Sequence, residues 1–244
     1  MELLLLSSSR TRAGYLTDYL PAIKTFVGRL RRALFVPFAA VSLPWEEFGA
    51  KVGEALAPLG VSVDLVRSVS DVLEAELIIV GGGNTFQLLR ECRTRGLLQD
   101  IETAVRAGTK YLGWSAGANL ACPTIKTTND MPIVDPGGLE ALGLIPFQIN
   151  PHYLNVSFPG HHGETRDERL TEFARVNPRL PVLGLPEGDW LRVSGATVEL
   201  GGPHAAVWFE GQTPSRPVLP GTALKLAASN AAYEEIPTET RPGR

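Results

Sequence analysis

Tyr111-Leu112-Gly113-Trp114-Ser115-Ala116-Gly117-Ala118-Asn119-Leu120 passes from an apolar, strand-like run through a G-x-S-x-G pentapeptide into residues compatible with a helix. Strand, tight turn and helix in immediate succession is the unit from which parallel sheets covered by helices are built. Within that unit Ser115 reads as the centre of a nucleophile elbow. Its hydroxyl is exposed on the turn, the next backbone N–H is free to bind an oxyanion, and the flanking glycines let the chain turn without a Cβ clash. The same letters also spell a structural turn that needs no chemistry, so the rest of the chain has to supply a base.

Outward from this unit, apolar runs of strand length alternate with amphipathic segments. The runs are Leu3 to Ser7, Ala33 to Phe38, Val61 to Val66, Leu77 to Val80, Tyr111 to Trp114, Ile145 to Ile149 and Val182 to Leu185. Their continuous Val/Ile/Leu character predicts strands covered on both faces. Trp45, Phe48, Val52 and Leu56 share a helical face, with Ser42 placed to cap that helix and Pro44 in its first turn. Thr165-Arg166-Asp167-Glu168 has the form of a capping box and predicts a helix from about Thr165 to Val176. The βαβαβ order predicts an α/β fold, a three-layer sandwich with a mainly parallel central sheet. Trp190 to Val193, Thr197 to Leu200 and Ala206 to Phe209 are short and separated by Gly-rich turns, which predicts a small C-terminal antiparallel appendage. No repeat or linker divides the chain, so residues 1–235 are expected to form one domain and the polar residues 236–244 a loosely ordered tail.

Composition excludes several classes of function. The chain has 244 residues, 44% hydrophobic and 20% charged, and a net charge of −3. That is an ordinary globular balance, and no Lys/Arg block is available to track a phosphate backbone, so neither nucleic acid nor an anionic membrane is an expected partner. The start, Met1-Glu2-Leu3-Leu4-Leu5-Leu6, carries an acid where a signal peptide is basic, and its apolar run is too short to span a bilayer. Cys92 and Cys122 have neither metal-ligand nor redox-motif spacing; a reduced cytoplasmic setting follows, with no metal and no cofactor expected.

Gly81-Gly82-Gly83-Asn84 ends one apolar run and precedes the helix-like Thr85 to Arg95. A glycine-rich strand-to-helix turn presents bare N–H groups at the carboxyl edge of a parallel sheet. No Lys-Ser/Thr follows and no third fingerprint glycine is present, so a nucleotide site is a poor match. Close helix–strand packing is one reading; an oxyanion hole formed by the N–H groups of Gly83 and Ala116 is another. For a base, His152 stands at the end of the Ile145 to Ile149 strand, on the edge expected to hold Ser115. His161 and His162 lie in a Gly/Pro loop, and His204 in the appendage. For an orienting carboxylate, Glu187 ends the next strand, with Asp130 and Asp135 as alternatives. The order Ser115, His152, Glu187 differs from that of an α/β-hydrolase, where the acid precedes the histidine.

Six spaced segments together resemble the peptidase E family. They are Val80 to Phe86, Gly113 to Pro123, Thr127 to Pro132, Gln148 to His152, Gly163 to Arg166 and Gly184 to Gly188, within a similarity running from residue 1 to about residue 210. The resemblance implies a class I glutamine amidotransferase-like fold and a cytoplasmic serine dipeptidase that hydrolyses dipeptides with N-terminal aspartate (Asp-X). It implies Ser115 as nucleophile, His152 as base, Glu187 as third member, and Gly83 and Ala116 as oxyanion donors. It further implies that Arg166 pairs with the substrate aspartyl group, with Asn84 also placed among the substrate-binding residues. A guanidinium matches a carboxylate bidentately, whereas a cation in the first turn of a helix opposes the macrodipole, so local stability does not account for Arg166. Departures from the family lie in His161-His162, Pro217 to Tyr233 and the tail, leaving monomer and homodimer both open. A cyanophycinase-like aspartyl peptidase and a non-catalytic binding protein of the same fold are the alternative functions.

Overall fold

The computed structural model describes residues 1–156, 160, 163–225 and 234–235. The chain enters through β1 (Glu2–Leu6), a small ribbon of β2 (Arg10–Thr11) and β3 (Gly14–Tyr15), and α1 (Leu20–Val27). Then come β4 (Arg32–Val36), α2 (Trp45–Leu56), β5 (Ser62–Leu65), α3 (Val69–Glu74), β6 (Leu77–Val80), α4 (Thr85–Thr94), α5 (Leu97–Ala107), β7 (Lys110–Trp114) and α6 (Ala116–Leu120). Strands β1, β7, β6, β4 and β5 lie side by side in that order, all parallel, at the heart of the main sheet.

Alternate side chains of β1 divide the core. Leu3 and Leu5 pack with Leu88, Leu89, Ile101 and Val105 on one face; Leu4 and Leu6 pack with Ile23, Phe26, Val52 and Leu56 on the other. Every one of these side chains is buried, which is the signature of a sheet between two helical layers. The expected three-layer α/β sandwich is therefore present.

The C-terminal half departs from a single sheet. Beyond β1 the main sheet is extended by antiparallel β10 (Trp190–Ser194), β11 (Thr197–Gly201), β14 (Ala223–Lys225) and β15 (Glu234–Glu235). A second sheet contains β8 (Gln148–Asn150), β9 (Val182–Gly184), β12 (Ala206–Phe209) and β13 (Arg216–Val218), with β8 and β9 parallel. The expected meander is thus split: its first two strands join the main sheet and its third joins the second. The parting occurs at Gly201-Gly202, where Gly202 has φ +117 and an added Cβ would lie 2.2 Å from Asp189 Oδ1. The Ile145 run likewise pairs only over Gln148–Asn150, and does so in the second sheet.

The α2 start also differs from expectation. The first helical hydrogen bond runs from Phe48 N–H to Pro44 O (2.9 Å), so Pro44 is itself the N-cap, with φ −56 and ψ 141. Ser42 lies two residues outside and does not cap. Phe48, Val52 and Leu56 are buried as expected, while Trp45 packs on Phe38, 4.9 Å between ring centroids. No helix among the described residues is long and apolar enough to cross a membrane. Residues 236–244, expected to be a tail, lie outside the described residues, as do His161 and His162.

Candidate active site

The elbow is fixed by backbone proximity. Ser115, at the N-cap of α6, has φ 52 and ψ −111, a conformation costly for a residue with a Cβ and concentrated at functional sites. The positive φ thus falls on the serine and not on its glycines. Gly117 serves a different need: an added Cβ would lie 2.2 Å from Val80 O on neighbouring β6. Ser115 N–H donates to Leu6 O (3.1 Å), tying the turn to the end of β1.

Gly83 sits on the adjacent strand-to-helix turn with φ +143, where a Cβ would lie 2.1 Å from Ala39 O. The preceding Gly82 packs directly on the elbow, an added Cβ there being 3.1 Å from Ser115 Cβ. Among the described residues the Gly83 N–H makes no hydrogen bond, and Ala116, first residue of α6, has the N–H that helix geometry leaves free. One free donor thus directly follows Ser115, and the other directly follows the glycine that packs on it.

His152 reaches the elbow because β8 is docked on α6. Asn119 Nδ2 and Thr127 Oγ1 both donate to Ile149 O at 2.8 Å, and Ile149 N–H donates to Cys122 Sγ (3.2 Å). Three residues after Ile149 the chain turns with φ 54 at His152. His152 Nε2 then lies 2.9 Å from Ser115 Oγ, and Nδ1 lies 2.6 Å from Glu187 Oε1, the ring bridging hydroxyl and carboxylate. The carboxylate sits on the loop after β9, which β8 holds through Leu185 N–H to Asn150 O (2.9 Å). Both side chains are partly open to solvent.

The competing residues lie elsewhere. Asp130 Oδ2 accepts from Thr85 N–H (2.8 Å), Thr85 Oγ1 (2.6 Å) and Thr128 Oγ1 (3.0 Å), bracing the start of α4. Asp135 Oδ1 accepts the Gly137 N–H at 2.8 Å in a turn. His204 pairs with Asp189, Nδ1 to Oδ1 3.3 Å. Asn84 caps α4, its Oδ1 accepting Gln87 N–H (3.1 Å) while Nδ2 donates to Met131 O (2.8 Å). Burial pushes the Cys122 thiol up to about 12, which keeps it protonated, donating to Ala118 O (3.4 Å) while it accepts from Ile149 N–H.

Arg166 opens α7 (Arg166–Val176), whose N-cap Thr165 completes the expected capping box with Glu168. Its half-buried guanidinium donates to a neutral oxygen, Asn150 Oδ1, at 3.3 Å, and forms no ion pair among the described residues. Burial, then the charge of Arg169, draws its pKa below the ordinary arginine value. Asn150 is itself oriented, Nδ2 donating to Thr127 O (2.8 Å) and Asn129 Oδ1 (2.7 Å). A cavity of about 300 Å³ is bordered by Arg166, Asn150, Asn129, Thr127, Thr128 and Lys126. An anchored, unneutralised guanidinium beside it is suited to a carboxylate. Sequence reading assigns no separate role to Asn119, Asn150 or Asn129; Asn119 and Asn150 are marked only by a polar side chain inside an otherwise apolar helix or strand, and Asn129, in a polar loop, carries no such mark.

Comparison with known proteins gives a consistent answer. The sequence profile of Peptidase family S51 matches residues 3–201. Peptidase E of Citrobacter koseri is 52% identical over 226 residues, covering 91% of this chain and 99% of that protein. Peptidase E of Escherichia coli is 51% identical over the same span. Among solved structures, a Listeria monocytogenes EGD-e protein assigned to peptidase E aligns with TM-score 0.62 and 26% identity, over 83% of this chain and 98% of that one. A peptidase from an acI-B1 Actinobacterium, at TM-score 0.63 and 18% identity over 92% and 96%, shares the fold.

Proposed function

This chain belongs to peptidase family S51, and from that premise we propose that it hydrolyses Asp-X dipeptides through an acyl-enzyme formed on Ser115. The observation that carries the reading is one imidazole held between a strained serine and a carboxylate, at 2.9 Å and 2.6 Å.

In this mechanism Ser115 Oγ attacks the peptide carbonyl while His152 Nε2 takes its proton. Glu187 accepts from Nδ1–H, selecting the tautomer whose Nε2 is basic and stabilising the imidazolium that forms. The negative charge developing on the carbonyl oxygen is received by the N–H groups of Gly83 and Ala116, already oriented before the reaction begins. His152 returns its proton to the leaving amine, and water repeats the sequence on the ester, releasing aspartate.

Selectivity for an N-terminal aspartate rests on Arg166. Its guanidinium is oriented by Asn150 and keeps its charge unanswered by any protein carboxylate among the described residues. A substrate carboxylate entering the cavity gains a charge-assisted, two-pronged partner, whereas a neutral side chain leaves the cation facing nothing.

Steady-state hydrolysis of an Asp-X dipeptide by Ser115→Ala tests the proposal. Turnover is expected to fall by about three orders of magnitude or more with the fold retained, since removing a triad nucleophile leaves only binding and the oxyanion donors. Undiminished hydrolysis by that variant overturns the acyl-enzyme; turnover of Ala-X dipeptides equal to that of Asp-X by the unaltered protein overturns the assigned selectivity.

A further inference from the structure

Consecutive residues at the end of β1 bond to Ser115, to His152 and to the loop that carries Glu187. Leu6 O accepts the Ser115 N–H at 3.1 Å. Ser7 Oγ accepts the His152 N–H at 2.9 Å and donates its own proton to Leu185 O at 2.8 Å. Its backbone N–H donates to Asp189 O (3.0 Å), so Ser7 holds both sides of the short loop that carries Glu187. Ser8 works through Tyr19: their oxygens are 2.9 Å apart, and Tyr19 Oη accepts the Gly188 N–H at 2.9 Å.

The proton count is closed. Ser8 spends its hydroxyl proton on Arg10 O (3.1 Å), so Tyr19 must donate to Ser8 and keeps its lone pairs for Gly188. Ser7 spends its proton on Leu185 O and keeps a lone pair for His152. Ser7, Ser8 and Tyr19 are all buried. Buried hydroxyls in a fully satisfied network define one geometry, because any displacement leaves a donor or acceptor unpaired. The geometry held here is demanding: His152 has φ 54 and Gly188 has φ +92, and neither turn is at the end of a helix that would fix it.

We propose that Ser7 and Tyr19 are positioning residues of the catalytic site, Ser7 fixing the His152 backbone and Tyr19 the Glu187 loop, so that the imidazole meets Ser115 and the carboxylate at once. The assignment rests on the triad reading above. Neither residue reaches the cavity beside Arg166, so both act on turnover and not on capture of substrate.

The test is the kcat and KM of Asp-X hydrolysis for Ser7→Ala, Tyr19→Phe and Glu187→Ala, and for Tyr19→Phe combined with Glu187→Ala. Ser7→Ala is expected to lower kcat on the order of 10- to 100-fold, and Tyr19→Phe about 3- to 10-fold, each with KM within about twofold, the range a sub-ångström to 1 Å misplacement produces. With Glu187 already removed, Tyr19→Phe is expected to have no further effect beyond about twofold, since residues acting through one another are not additive. If Ser7→Ala does not fold, the Tyr19 and Glu187 cycle decides alone. An equal loss from Tyr19→Phe in both backgrounds, an effect confined to KM, or unchanged kcat beside a crippled Glu187→Ala overturns the positioning role. Wild-type kcat in Glu187→Ala overturns the triad reading itself, and this one with it.

Discussion

Arg166 Nη1 faces Asn150 Oδ1 at 3.3 Å, and Asn150 stands two residues before His152. The proposed specificity cation and the proposed base are therefore held by one short stretch of chain, so a substrate anchored at the first is presented to the second in a fixed relation. Tyr153, the residue after His152, adds a second tie by donating to Asp167 Oδ1, next to Arg166.

Replacing Arg166 by Ala is expected to lower kcat/KM for Asp-X by about 10²- to 10³-fold, corresponding to roughly 3–4 kcal/mol, within the range found when one partner of a partly buried charge pair is removed. Ala-X hydrolysis is expected to change little. Parallel kinetics on the two dipeptides give the result; equal losses on both would show that Arg166 supports the fold and not selectivity.

Asn150→Asp is expected to act in the opposite manner, by answering the cation internally. A carboxylate two residues before His152 would pair with Arg166 and compete with the substrate, while the donations to Thr127 O and Asn129 Oδ1 are lost. KM for Asp-X is expected to rise at least about tenfold, the cost of displacing a charge-assisted hydrogen bond. A KM at or below that of the unaltered protein would exclude this competition.

The elbow makes a stability prediction. Gly117 is required by approach and not by dihedral angle, since a Cβ would meet Val80 O, a backbone atom of a central strand, at 2.2 Å. Gly117→Ala is expected to destabilise by about 1–3 kcal/mol or more, lowering Tm by roughly 3–10 °C for a chain of this size. Thermal unfolding followed by circular dichroism checks it, and an unchanged Tm would mean that β6 and α6 can separate freely.

Much of this was legible from sequence where the physics is local. Leu77 to Val80 and Tyr111 to Trp114 read as buried strands because no polar residue interrupts them, and Thr165 with Glu168 forms its capping box within a single turn. Strand order alone puts Ser115, His152 and Glu187 on a common edge. That edge is in fact composite: Ser115 follows a strand of the main sheet and His152 one of the second, joined by Asn119 and Cys122 at Ile149. Such a junction depends on tertiary contacts between residues about thirty positions apart and leaves no periodic trace. Ser7 is the clearest case. It reads as the last residue of an apolar strand, and only the arrival of His152 and Leu185, more than a hundred residues later, gives its hydroxyl a role.

Asp189 provides the final prediction. Its side chain is buried beside the Glu187 loop, Oδ1 accepting the His204 N–H (3.0 Å) and Oδ2 having no partner among the described residues. Burial raises its pKa from 3.8 to about 6, against the opposing pull of His204. A carboxyl whose pKa is raised on folding holds its proton more tightly in the native state than in the unfolded chain. Its contribution to stability is therefore fully present below about pH 4 and is lost as pH rises through about 6. The shift of about 2 units bounds that loss at about 3 kcal/mol. Asp189→Asn stays neutral throughout and keeps an oxygen for the His204 N–H, while its amide nitrogen takes the unpartnered position at a cost independent of pH. The difference in Tm, variant minus unaltered protein, is accordingly expected to become more positive between pH 4 and pH 7, by up to roughly 6–10 °C. Scanning calorimetry of both proteins across that range measures it. A difference that stays flat, or that falls as pH rises, would mean that the native state carries Asp189 ionised without penalty, with His204 fully offsetting its burial.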